Sequence, residues 1–67
     1  MIVENKIEEM TSEKLIGRQV RFVMNPELVG QIVAVRLFYA GRVFSVQYFH
    51  DSEFRESDVD AFQLELI

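Results

Sequence analysis

The sequence predicts one small, mainly β domain curled into a barrel. Residues Val29 to Asp51 hold two apolar runs, rich in β-branched and aromatic side chains, that meet at Ala40-Gly41. That pattern is a β-hairpin. Val20, Phe22 and Met24 before it, and Phe62, Leu64 and Leu66 after it, recur at the period of two of half-buried strands. With 67 residues there is room for a single domain. A chain of that size has a marginal core, on the order of 3–5 kcal/mol.

Residues 2–10 carry Val3, Ile7 and Met10 on one helical stripe, so a short amphipathic helix is expected there, too brief to stand alone. Thr11-Ser12-Glu13 breaks or caps it, and Leu15-Ile16 lead into Gly17. Residues 1–16 thus read as a helical or flexible segment, and 17–67 as the barrel. A first strand is expected over Arg18–Met24, ended by Asn25-Pro26-Glu27, because proline brings no N–H to a ladder. The second runs from Val29 to Tyr39. Its block Ile32-Val33-Ala34-Val35 does not alternate. A bulge near Val33-Ala34 with partial covering of both faces accounts for it.

At the hairpin tip, a two-residue type I′ turn would put Ala40 at positive φ, so a longer turn with Gly41 in the left-handed region is expected. The third strand, Val43–Phe49, turns Phe44, Val46 and Tyr48 inward and leaves Phe49 outward. His50 to Glu53 is a polar turn. A short fourth strand around Glu53–Glu56 is expected to set Phe54 against the core. Ser57 to Asp60 reads as the start of one helical turn, with Ser57 as N-cap. The last strand carries Phe62, Leu64 and Leu66.

The chain has no cysteine, which fits a reducing compartment and excludes disulfides and thiolate zinc sites. No apolar run approaches the roughly 18 residues that cross a bilayer. The opening MIVENKIEEM turns acidic after its third residue, unlike a signal peptide. A soluble cytoplasmic protein is expected, with no membrane contact. The net charge of −4 is unevenly spread. In residues 1–16, Glu4, Glu8, Glu9 and Glu13 against Lys6 and Lys14 leave −2. In 17–50, Arg18, Arg21, Arg36 and Arg42 against Glu27 leave +3. In 51–67, six carboxylates against Arg55 leave −5. Acidity overall opposes non-specific binding to DNA.

Five short strands, one long bent hairpin and a helical turn before the last strand resemble the SH3-like small barrel. The resemblance is closest to barrels of the Tudor and KOW types, as found in small uncharacterised bacterial or prophage proteins. It rests on Arg18-Gln19-Val20-Arg21-Phe22, Gly30-Gln31-Ile32-Val33-Ala34-Val35, Phe44-Ser45-Val46-Gln47-Tyr48 and the ending Val59 to Leu66. It covers residues 17–67 and speaks to fold more than to function. The acidic aromatic first-loop motif of Src-homology-3 domains is missing and there is no tryptophan, so a polyproline ligand is not expected. A Tudor-like aromatic cage would draw on Tyr48, Phe49, His50 and Phe54, with Asn25 opposite.

Catalysis finds no support. His50 is the single histidine, and adjacency to Asp51 and Ser52 does not make a triad. The carboxylates Asp51, Glu53, Glu56, Asp58 and Asp60 lack the spacing of a calcium loop, and no glycine-rich phosphate loop exists. No cofactor and no metal are expected.

Six phenylalanines and two tyrosines exceed what a small barrel can hold. Phe22, Phe44, Tyr48 and Phe62 fill it, with Phe54 beside them. Phe38, Tyr39 and Phe49 are left over, together with Val33 or Leu37. Either the N-terminal helix covers them or they form a contact patch. The expected function is therefore a non-enzymatic module that binds protein, a second copy of itself included. Its binding residues are expected to be Phe38, Tyr39, Arg42, Phe49, His50 and Phe54. The alternatives are a KOW-type nucleic-acid accessory module using Arg18, Arg21, Arg36 and Arg42, and an acidic phage or prophage effector that displays its C-terminal carboxylates.

Overall fold

The computed structural model describes residues 6–67. The chain begins with a 3-10 turn, Lys6–Glu9, and a one-turn helix α1, Ser12–Leu15. Strands β1 (Gln19–Phe22), β2 (Asn25–Phe38), β3 (Gly41–His50) and β4 (Glu53–Val59) follow, then a second 3-10 turn, Ala61–Gln63, and β5 (Leu64–Leu66). The five strands form one open antiparallel sheet in the order β4-β3-β2-β1-β5. The mainly β expectation is met. Of the N-terminal stripe, Val3 lies outside the described residues.

The unpatterned stretch of β2 holds the expected bulge. Ile32 stands opposite Val46 and Ala34 opposite Ser45, which leaves Val33 as the extra residue. The inserted residue brings Ile32 and Val35 to the same side, where Val35 packs on the core. Gly30 faces Tyr48. A Cβ at Gly30 would stand 2.6 Å from Val46 Cγ1 and 2.8 Å from the Gln47 carbonyl, so only glycine lets the two strands close here.

The first turn departs from expectation. Asn25-Pro26-Glu27 open β2 instead of ending β1, and Val23-Met24 make the turn. Phe22 pairs with Asn25 and Arg21 with Val29, so residues 26–28 bulge from the ladder and Pro26 needs no partner there. Met24, expected inward, sits exposed in that turn.

The two hairpins of β3 use different turns. The turn expected to be longer than two residues is corrected: Tyr39 and Ala40 alone form the loop between Phe38 and Gly41, which is possible without a positive φ at Ala40 because the loop sits one residue earlier and Gly41, at φ +143°, closes it. Asp51 and Ser52 both take positive φ, 52° and 63°, the signature of a type I′ turn. A two-residue loop fixes parity, pairing His50 with Glu53 and Phe49 with Phe54. Since Phe49 points outward, Phe54 must too. Its expected place against the core is thereby corrected: Phe54 is 73% exposed.

The expected helical turn from Ser57 begins instead at Ala61, because β4 continues to Val59. The Asp60 N–H donates to Gln63 Oε1 at 2.9 Å and closes the turn's start. In a 3-10 turn, positions three apart share a face. Ala61 and Leu64 take the buried one, so Phe62 faces out at 74% exposure instead of filling the barrel.

The core lies on one face of the sheet. Val20, Ile32, Phe44, Val46, Val59 and Leu64 are buried there, with Ala61 beside them. Ile7 and Leu15, both N-terminal to the sheet, complete the same cluster with no exposed surface. Each contributes about 1.5–3 kcal/mol by leaving water. Tyr48 is half-buried, its ring edge-on to Phe22 at 5.3 Å and its hydroxyl 3.0 Å from Ser57 Oγ.

Candidate functional site

The six expected binding residues fall into two groups at opposite ends of β3. Phe38, Tyr39 and Arg42 lie at the β2–β3 tip, and Phe49, His50 and Phe54 lie beside the β3–β4 turn. Eight residues of strand, roughly 26 Å, separate Arg42 from His50. The surplus rings do not make one patch.

At the tip, Leu37, Phe38 and Tyr39 are consecutive and exposed, Tyr39 completely. Beside them an open depression of about 310 Å³ is lined by Phe38, Ala40, Gly41, Arg42, Val43 and Asp60. Among the described residues, none of the N-terminal segment covers these side chains. Ile7 is spent on the core face, where the 3-10 turn lies against β5.

Arg42 is tied down within the fold. Its Nη1 donates to the Met10 carbonyl at 2.8 Å and to Ser12 Oγ at 3.4 Å, and its Nη2 donates to the Ile7 carbonyl at 3.0 Å. The guanidinium also stands 5.3 Å from the centre of the Phe44 ring. A planar fork of donors reaches two carbonyls at once, which a point charge could not span. The parity signal was in the sequence: Arg42 is two residues from Phe44 and four from Val46, so it shares their inward face.

At the other end, Phe49 and Phe54 meet edge-to-face at 5.2 Å, directly opposite across β3 and β4. Both are more than half exposed. His50 Nε2 lies 3.5 Å from Asp51 Oδ2, with both side chains largely exposed. Tyr48 projects to the opposite face, toward Phe22, and Asn25 sits opposite Phe22 in β2. These positions do not enclose a common cage.

The four arginines do not line one surface. Arg21 and Arg36 lie on the outer face, within 3.7 Å of Glu65 Oε1 and 3.3 Å of Asp58 Oδ2 respectively. Arg42 is on the inner face, and Arg18 is exposed at the start of β1. Asp58 also accepts from Ser45 Oγ at 2.8 Å, and Ser45 is fully buried. Its flank of buried Phe44 and Val46 gave no sequence signal for that polar link. Among the described residues no three His, Asp or Glu side chains are grouped to hold a metal ion, and no helix is long and apolar enough to cross a membrane. Set against protein-family models, curated proteins and solved structures, the chain matches none of them.

Proposed function

We propose that this chain is a non-catalytic protein-binding module on an SH3-like small barrel, with the β2–β3 tip as its partner contact. Support for the barrel comes from the strand order β4-β3-β2-β1-β5 and from the 3-10 turn that joins the two edge strands. Support for binding comes from one observation. Leu37, Phe38 and Tyr39 stay exposed beside an apolar depression although the core is already closed by Ile7 and Leu15. Exposed apolar residues around a concavity are what anchored protein contacts use. The nucleic-acid reading has no comparable support, since Arg21 and Arg36 are already matched by carboxylates and Arg42 by carbonyls.

A photoreactive phenylalanine at position 39, introduced in cells that make the chain, tests this reading. A discrete adduct is expected at position 39 and none at position 19 on the outer face. An adduct of twice the chain's mass identifies the partner as a second copy. No adduct at position 39, or the same smear at both positions, contradicts the reading.

A further inference from the structure

Strand β4 has a free edge, and its chemistry selects an occupant. Among the described residues β4 pairs only with β3. The His50–Glu53 pair closes a two-residue turn and is therefore a hydrogen-bonded pair. The alternation along an antiparallel ladder then leaves the N–H and C=O of Phe54, Glu56 and Asp58 pointing away from β3. All three residues are exposed. Such a row of unmet donors and acceptors is a template for an added strand.

A second copy is a poor occupant. Two β4 strands related by a twofold axis pair antiparallel. Centred on residue 55, they set Arg55 on Arg55. Centred on 56, they set Glu56 on Glu56. Centred on 57, they set Glu56 on Asp58 twice. Centred on 54, the next outward partner is Ser52, which the turn holds at φ 63°, and the ladder stops. Like charges directly opposite are destabilising. Within the segment 51–60, Asp51, Glu53, Glu56, Asp58 and Asp60 stand against Arg55, which is 3.5 Å from Glu53; Asp58 is also 3.3 Å from Arg36 of β2, so Glu56 is the outer-face carboxylate of β4 with no ion pair among the described residues.

We propose that the β4 edge binds an extended cationic segment of another protein by strand addition. A lysine or arginine at every second residue would lie over Phe54 and oppose Glu56 and Asp58 on the outer face. This inference rests on the protein-binding reading but uses a different surface.

The test titrates the full chain with a seven-residue peptide alternating lysine and valine, and with its glutamate-for-lysine counterpart, followed by amide hydrogen exchange. The lysine peptide is expected to slow exchange at Phe54, Glu56 and Asp58 by about tenfold or more and to leave Arg55 and Ser57, already paired to β3, unchanged. Glu56→Lys, a surface change opposite exposed Gln47, is expected to weaken lysine-peptide binding by about tenfold and to admit the glutamate peptide. No slowing at these amides, equal binding of both peptides, or a dimer through β4 without peptide overturns the proposal. A null titration with the position-39 adduct intact leaves the tip reading standing, and the reverse pair of results removes only the tip.

Discussion

The two hairpins that share β3 are built from the same ladder and end differently. The β2–β3 hairpin is joined to the rest of the chain close to its tip, where Arg42, paired with Leu37, ties the carbonyls of Ile7 and Met10 to the sheet. Beside that tie the side chains of Leu37, Phe38 and Tyr39 stand clear. Among the described residues the β3–β4 hairpin has no arginine tie to the N-terminal segment; its side-chain link to β2 is the half-exposed Arg36–Asp58 pair. Its outer aromatic pair is solvent-facing, its turn holds two non-glycine residues at positive φ, and β4 is an open edge. The first hairpin carries the fold inward, and the second offers unmet groups outward.

The largest effect should come from cutting the tie. Arg42→Ala removes the guanidinium from the Met10 carbonyl, the Ser12 hydroxyl and the Ile7 carbonyl, of which the last keeps the Met10 N–H, and is expected to cost about 2 kcal/mol in urea unfolding. Arg42→Lys should recover only part of that, because an ammonium does not span two carbonyls as a fork does. Amide exchange at Met10 and Leu15 should rise in both. Unchanged unfolding in Arg42→Ala would mean the two hairpins differ less than their contacts indicate.

A smaller effect, of opposite sign, is expected in the second hairpin. Ser52 sits at φ 63°, where a Cβ is strained and glycine is not. Ser52→Gly should stabilise the chain by about 0.5–1 kcal/mol in the same assay. A loss of stability would show that the turn is not of the type I′ form.

Much of this layout was legible in the sequence, because local rules governed it. The bulge at Val33 was visible in the broken alternation of Ile32 to Val35, and the positive φ of Gly41 in the hairpin's need for a glycine. The inward set Phe44 and Val46 followed from period two. The failures came where hydrophobicity was allowed to override parity. Phe54 is apolar, yet a two-residue turn binds its direction to that of Phe49. Phe62 is apolar, yet a 3-10 turn gives the buried face to Ala61 and Leu64. Parity places Arg42 inward, but its charge gives no sign of its carbonyl partners, which lie 32 and 35 residues away in sequence. The candidate site suffered in the same way. Its residues were selected for surplus bulk, which is a property of composition, while their separation to two ends of β3 is a property of strand length.

The core is completed by Ile7 and Leu15, so the leftover rings at the tip are not needed to hold the fold. Urea unfolding of Tyr39→Ser tests it most directly. Its stability is expected to stay within about 0.5 kcal/mol of the parent chain, as for a surface change that touches no core contact. A loss of about 2–5 kcal/mol, the size expected for Ile7→Ala, would contradict it.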